Sequence, residues 1–359
     1  MVFTVDILNK INQLAPFSLT MDFDNTGLLV GDPHTPVTKA LLCLDCTMES
    51  INQAKAVGAQ LIVTHHPVIF HPLKKVTAGS VVYRLIRENI GVISAHTNLD
   101  IAAGGVNDCL AQRLSLQNVC GLSPVSAAPF CKVVTFVPTA YGEQVYKAMA
   151  DAGAGAVGAY AGCAYFAQGV GAFLPLAGSS PFIGEQGKTE QVEEVKIEMV
   201  CPGKKVDQVV AAIQAAHPYE TPAYDVFEDS ALTQREFLGR VGDLLQPLSP
   251  KELALLVKKA LGGMVKFVAG SSPIQRVAVC GGSGASELKA AVAQGAQALV
   301  TGDVKHDVFV QAQLLGLTLL DAGHFHTEDI VLEPLCQSLG EAFPQVEFTV
   351  FHPTAIQSI

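Results

Sequence analysis

The feature that most constrains this chain is a pattern that occurs twice: a short apolar run, a helix, and another short apolar run that ends in polar or glycine residues. In the first occurrence residues 40–44 read as a buried strand, and Met48–Val57 read as a helix ended by Gly58. Residues 59–64 form a second strand that stops at His65-His66-Pro67. A helix over about residues 80–89 follows, then a strand over 91–95 that runs into His96-Thr97-Asn98-Leu99-Asp100. The second occurrence starts with a strand at 276–280 and the turn Gly281-Gly282-Ser283-Gly284, then a helix over 286–294 ended by Gly295. A strand at 298–301 leads into Gly302-Asp303-Val304-Lys305-His306; after another helix, residues 317–321 lead into Ala322-Gly323-His324-Phe325-His326-Thr327-Glu328. A helix between successive apolar strands implies parallel pairing with right-handed crossovers. The expected fold class is therefore α/β, with duplicated β-α-β-α-β halves forming one unit.

Between the halves the texture changes. Residues 131–137 and 192–200 are β-like, and the second alternates apolar and charged side chains, as a half-buried antiparallel strand does. Helices are expected at 143–152 and 205–216. The order β-α-β-β-α-β predicts a small ferredoxin-like α+β insert, entered near Pro124, Ala127, Ala128 and Pro129 and left near Asp229-Ser230-Ala231. The expected division is residues 1–126 and 231–359 as the two halves of the α/β domain, with 127–230 inserted.

At 359 residues the chain exceeds one ordinary compact domain, and 49% hydrophobic against 16% charged residues supplies real cores. No apolar stretch reaches the roughly 18 residues a membrane helix needs. The segment Met1-Val2-Phe3-Thr4-Val5-Asp6 reads as the start of an amphipathic helix and not as a leader, so the expected location is the cytoplasm. Nine cysteines without a paired framework fit a reducing compartment. A net charge of −10 disfavours general nucleic-acid binding, which depends on neutralising phosphates.

Metal ions need several lone pairs converging on one point, and suitable residues gather at the strand ends, where open α/β sheets place their sites. His65 and His66 are adjacent, and side chains alternate along a strand, so each is better placed to serve a different ion. Asp100 closes the loop after the neighbouring strand. His324 and Glu328, four apart at a helix start, share one face, and Glu328 has two oxygens with which to bridge. Mixed imidazole and carboxylate donors suit two divalent ions, Zn, Fe, Mn, Ni or Co. Two such ions about 3.5–4 Å apart can hold a hydroxide and polarise a substrate. Taken singly, each residue is an ordinary turn histidine or surface acid; the combination at matching strand ends carries the argument. His96 is the candidate proton donor. His306 reads as a neighbour of the site, His71 and His326 as rim residues, and His34, His217 and His352 carry no site signal. Cys43-Leu44-Asp45-Cys46 has redox spacing in a strand context and reads as buried core. The glycine turn at 281–284 either cradles a phosphate or makes a tight strand-to-helix connection.

Taken in order, Asp24-Asn25-Thr26-Gly27-Leu28-Leu29-Val30-Gly31, Thr64-His65-His66-Pro67, His96-Thr97-Asn98-Leu99-Asp100, Gly104-Gly105-Val106-Asn107, Thr301-Gly302-Asp303 and Gly323-His324 with Glu328 resemble the Nif-three-like family of GTP cyclohydrolase 1 type 2 homologs. The resemblance implies a dinuclear divalent centre with His65, His66, Asp100, His324 and Glu328 as ligands, and a toroidal homohexamer. The segment His217-Pro218-Tyr219-Glu220-Thr221-Pro222-Ala223-Tyr224-Asp225-Val226 looks like part of the PII/CutA-like insert that some members carry. The chain departs from the family pattern where Phe23 replaces a tryptophan and at Phe351-His352-Pro353-Thr354. The expected activity is metal-dependent hydrolysis of a nucleotide or related heterocycle through a metal-bound hydroxide. A non-catalytic metal-binding regulator or metal-delivery protein is the alternative.

Overall fold

The computed structural model describes residues 1–125, 130–229, 236–270 and 272–353. They form a mixed α/β fold with several sheets, divided into two compact units: Met1–Val125 with Glu236–Ile359, and Ser126–Arg235. The expected insert borders at Ala127, Ala128, Pro129, Ser230 and Ala231 lie outside the described residues, as does Thr354.

The first unit contains two larger sheets. One has the spatial order Glu347–Val350, Lys39–Cys43, Leu61–Thr64, Gly91–Ser94, Gly27–Val30, parallel except for the last pair. Its register sets Leu41 beside Ile62 and Ile62 beside Val92, so these three share a face. That face packs on Ile51 and Ala54 of helix Met48–Val57 and on Val82 and Leu85 of helix Val81–Glu88. Leu42, Val63 and Ile93 alternate to the opposite face, against Ile7 and Ile11 of helix Thr4–Leu14 and Leu335 and Leu339 of helix Leu332–Ala342. Both faces are covered, which is why these strands read as continuous apolar runs. Each such buried aliphatic side chain contributes about 1.5–3 kcal/mol. The caps match the residues: Thr47 caps helix Met48–Val57 by accepting from the Ser50 amide, and Gly58 ends it with φ of 74°.

The other sheet runs Lys266–Val268, Thr318–Asp321, Ala298–Thr301, Ile274–Val279, Glu236–Leu248, Gln117–Val125. Its three consecutive strands Ile274–Val279, Ala298–Thr301 and Thr318–Asp321 pair in parallel, and the flanking pairs are antiparallel. Val279, Val300 and Leu320 lie on one face with Leu253 and Val257 of helix Pro250–Leu261; Ala278, Leu299 and Leu319 lie on the other. After the turn at 281–284 the expected helix over 286–294 is shorter, a 3-10 segment Gly284–Glu287 leading into helix Leu288–Ala293.

The second unit has the element order Phe130–Pro138, helix Gly142–Asp151, Ala164–Phe173, Glu190–Pro202, helix Val206–Ala216, Tyr224–Asp229. Its antiparallel sheet is ordered Tyr224–Asp229, Phe130–Pro138, Glu190–Pro202, Ala164–Phe173. Val195, Ile197, Met199 and Cys201 alternate into its core, against Val145 and Met149 of one helix and Val209 and Ile213 of the other. Among the described residues no helix is long and apolar enough to cross a membrane.

Candidate metal centre

The residues singled out at the strand ends meet in the first unit. His65 and His66 follow strand Leu61–Thr64, and His96 follows Gly91–Ser94. Asp100 lies in the short helix Thr97–Ile101, and so not in a loop as its sequence context suggests; the Leu99 and Asp100 amides both donate to the His96 carbonyl. His324 and Glu328 are the first and last residues of helix His324–Glu328, which follows strand Thr318–Asp321. Three overlapping groups of candidate ligands result: His65, Asp100 and Glu328; His66, His324 and Glu328; and His65, His66 and His96.

The histidines are held by their Nδ1 atoms. His65 Nδ1 donates to the Ala95 carbonyl at 2.8 Å, His66 Nδ1 to Asp45 Oδ1 at 2.8 Å, His96 Nδ1 to Asp24 Oδ1 at 2.8 Å and His324 Nδ1 to Asp303 Oδ2 at 2.7 Å. Each of these partners only accepts, so Nδ1 carries a hydrogen and it is Nε2 that faces the cluster, with a free lone pair whenever the ring is neutral. Glu328 Oε2 lies 2.9 Å from His66 Nε2, 3.0 Å from His324 Nε2 and 3.8 Å from His65 Nε2. The two imidazole nitrogens His66 Nε2 and His324 Nε2 are themselves 3.2 Å apart.

His65 Nε2 and Asp100 Oδ1 are buried, 3.5 Å apart, and neither has a hydrogen-bond partner among the described residues. Buried polar atoms without partners cost free energy, and two of them lie side by side here, next to the Glu328 carboxylate. A divalent cation satisfies all of them together, so the donor set fits such an ion, with the mixed imidazole and carboxylate chemistry of Zn, Fe, Mn, Ni or Co.

The electrostatics follow from the crowding. Burial pushes the Asp100 carboxyl up to about 6, with His65 pulling it down and Glu328 adding to the rise. Burial also works against ionising Glu328, but the imidazoles of His65, His324 and His66 outweigh it and hold the carboxyl well below its usual range. For His66 burial opposes the charge, while Asp45 and Glu328 raise the imidazole to about 10. The hydrogen bond that His324 donates to Glu328 is the main reason its imidazole rises to about 9. Asp24 is disfavoured as an anion by burial, yet His96 and Thr97 stabilise it and keep it far below the ordinary carboxylate value.

An outer layer fixes the ligands. Asn107 Nδ2 donates to the Asp100 carbonyl and its Oδ1 accepts from the Gly281 amide, so one side chain ties Asp100 to the glycine turn. The buried Arg240 pairs with Asp108 and donates from Nη2 to the Ile101 carbonyl at 3.2 Å, bracing the end of the Asp100 helix. The glycine turn serves Glu328. The Gly281, Gly282 and Gly284 amides are engaged by Asn107, Thr327 and Thr301, so none of these three is free to cradle a phosphate. Gly282 has φ of +59°, and a Cβ there would collide with Glu328 Oε1.

His306 is exposed at the start of helix His306–Leu314 and belongs to none of the three groups. It opens helix His306–Leu314, five positions past the end of strand Ala298–Thr301. His71 is exposed, and His326 is half-buried outside the three groups. Burial pushes the thiols of Cys43, up to about 12, and Cys46 away from ionisation, which leaves them as neutral packing groups. Asp45 and Asp303, the partners of His66 and His324, were not anticipated as site residues. Both stand two positions past a strand end, which is the signal available, and Asp303 takes a left-handed φ of 53° that aspartate tolerates better than most residues.

The profile of the family Duf34/NIF3 (NGG1p interacting factor 3) matches residues 3–355. The chain is 39% identical over 324 residues to a protein of Halalkalibacterium halodurans named GTP cyclohydrolase 1 type 2 homolog, covering 89% of this chain and 87% of that one. It is 38% identical over 350 residues to the Bacillus subtilis protein of the same name, covering 96% and 94%. Among solved structures, Staphylococcus aureus protein SA1388 superposes with a TM-score of 0.81 at 30% identity, covering 100% of this chain and 99% of that one. A Bacillus cereus protein related to NIF3 gives 0.74 at 34% identity, covering 100% and 98%. With sequence and fold matched over nearly their whole length, the chain belongs to the Duf34/NIF3 family.

Proposed function

We propose that this chain is a hydrolase dependent on two divalent cations that acts on a nucleotide or a related heterocycle. The observation that carries the reading is the meeting of His65 Nε2 and Asp100 Oδ1, both buried without partners, with Glu328, which also contacts His66 and His324. His65 and Asp100 would hold one ion, His66 and His324 the other, and Glu328 would serve both. When bound, such a pair supplies Lewis acidity at the substrate and makes water nucleophilic at neutral pH. His96 is the proton carrier: Asp24 fixes its Nδ1–H and stays ionised, so Nε2 can give a proton to the leaving nitrogen or oxygen. The half-exposed Phe70 ring, 6.2 Å from the His96 ring, offers an apolar edge to a flat heterocycle. The names of the relatives make GTP the first substrate to try. Assembly into a toroidal homohexamer, residence in the cytoplasm, descent of the two parallel strand sets from one duplicated half, and a PII/CutA-like character for the second unit complete the proposal.

The test is elemental analysis of the parent beside His66→Ala and Glu328→Ala, followed by a formate-release assay with GTP. Two ions per chain in the parent, loss in both variants, and a fall of about 10²–10⁴ in turnover for His96→Gln with metal retained are expected. Turnover that survives in Glu328→Ala would overturn the reading. Tight metal uptake with no nucleotide turned over would favour the regulator or metal-delivery alternative.

A further inference from the structure

The second unit holds a cavity of about 500 Å³ that the metal chemistry does not use. Its size falls within the roughly 300–1,000 Å³ of small-molecule sites. Among its lining residues, aromatic and aliphatic side chains dominate, and the only charged ones are two carboxylates, Glu194 and Glu220. Glu220 is exposed and takes up the Ser180 amide, at 3.0 and 3.2 Å. Glu194 is different: it is 9% exposed, and its Oε1 accepts from the Tyr219 hydroxyl at 3.0 Å. Among the described residues its Oε2 receives no hydrogen bond, and neither lysine nor arginine lines the cavity.

This half-satisfied carboxylate sits in a built setting. Strand Ala164–Phe173 makes room for it with Gly171, where a Cβ would collide with the carboxylate. Tyr219 is fixed from behind: its amide donates to His217 Nδ1 at 3.0 Å, so His217 keeps its hydrogen on Nε2, which donates to the Phe136 carbonyl at 2.8 Å. Burial holds the His217 imidazole below its usual range, consistent with a neutral positioning residue. Around the carboxylate, the Phe173 and Phe182 rings lie 5.6 and 6.5 Å from the Tyr219 ring. Aromatic faces beside an anion that lacks one donor are the surroundings a cation on an apolar body prefers.

We propose that this cavity binds a small organic cation, an amine or quaternary ammonium on an apolar body, with Glu194 Oε2 as its charge partner and Tyr219, Phe173 and Phe182 as its aromatic walls. A neutral ligand would leave the charge of the carboxylate unmatched, and an anion would face two like charges.

Calorimetric titration of the full chain with phenethylamine, with its neutral analogue 2-phenylethanol and with tetramethylammonium tests the proposal. Phenethylamine is expected to bind about tenfold or more tightly than the alcohol. Glu194→Gln, which keeps the shape and removes the charge, should abolish that preference. Phe182→Ala changes a side chain that is 50% exposed, so it should fold normally while weakening both cations severalfold. His66→Ala should bind phenethylamine as the parent does, which keeps this result separate from the fate of the metal proposal. Equal affinity for amine and alcohol, a preference retained in Glu194→Gln with an unaltered melting temperature, or no binding of either cation at millimolar concentration would each overturn it.

Discussion

At the scale of single residues, the candidate metal centre is a set of imidazoles aimed by their own hydrogen bonds. In the metal-free protein a proton takes the place of a cation on His66 and His324, because the carboxylates around them raise these rings to about 10 and about 9. A metal binds only the unprotonated ring, so uptake near neutral pH must expel protons. The sign is fixed: affinity rises with pH until the solution passes those values, then levels off. Calorimetry at pH 7.5 in buffers of different ionisation enthalpy should give a heat that depends on the buffer; a heat independent of buffer would contradict the protonated starting state. Asp303→Ala leaves every ligand in place but frees His324 Nδ1, and a loss of about 10–100-fold in metal affinity is expected. Unchanged affinity, measured by competition with a chelating dye, would show that the left-handed turn at Asp303 orients nothing.

At the scale of elements, much of the site was legible because parallel strands deliver whatever follows them to one edge of the sheet. His65, His66 and His324 could be located by counting from the apolar runs. Asp100 was located too, but its helix was not read, because Thr97–Ile101 is only five residues long and has little periodicity to read. The pairings His96 with Asp24 and His66 with Asp45 were illegible for another reason: they join residues 72 and 21 positions apart, and only tertiary packing decides such contacts. The glycine turn left two readings open until the acceptors of its amides were known. In the second unit His217 carried no signal, since its role depends on the backbone of Tyr219 and Phe136 folding beside it. Arg240 shows how one strand supports another element's chemistry. Arg240→Met should release the end of the Asp100 helix and strand Asp108, lowering the melting temperature and metal content together. A variant that loses stability yet keeps its full metal content would separate the brace from the site.

At the scale of the whole molecule, stability and loading are linked. A ligand present at about 100 times its Kd stabilises the folded chain by about 2.7 kcal/mol. Exhaustive chelation should therefore lower the melting temperature by about 3–5 °C, and re-addition of the ion should restore it. A melting curve indifferent to chelator would mean that the cluster holds no ion. The contact between His66 and Glu328 spans 262 positions, with the second unit interposed. At roughly 5–20 residues per second of synthesis, tens of seconds separate the emergence of these two side chains from the ribosome. During that interval the nascent chain offers its early histidines without the carboxylate that joins the two groups. On the proposed two-ion reading, faithful loading is thus a task for the finished polypeptide, and the timing of translation itself defers it.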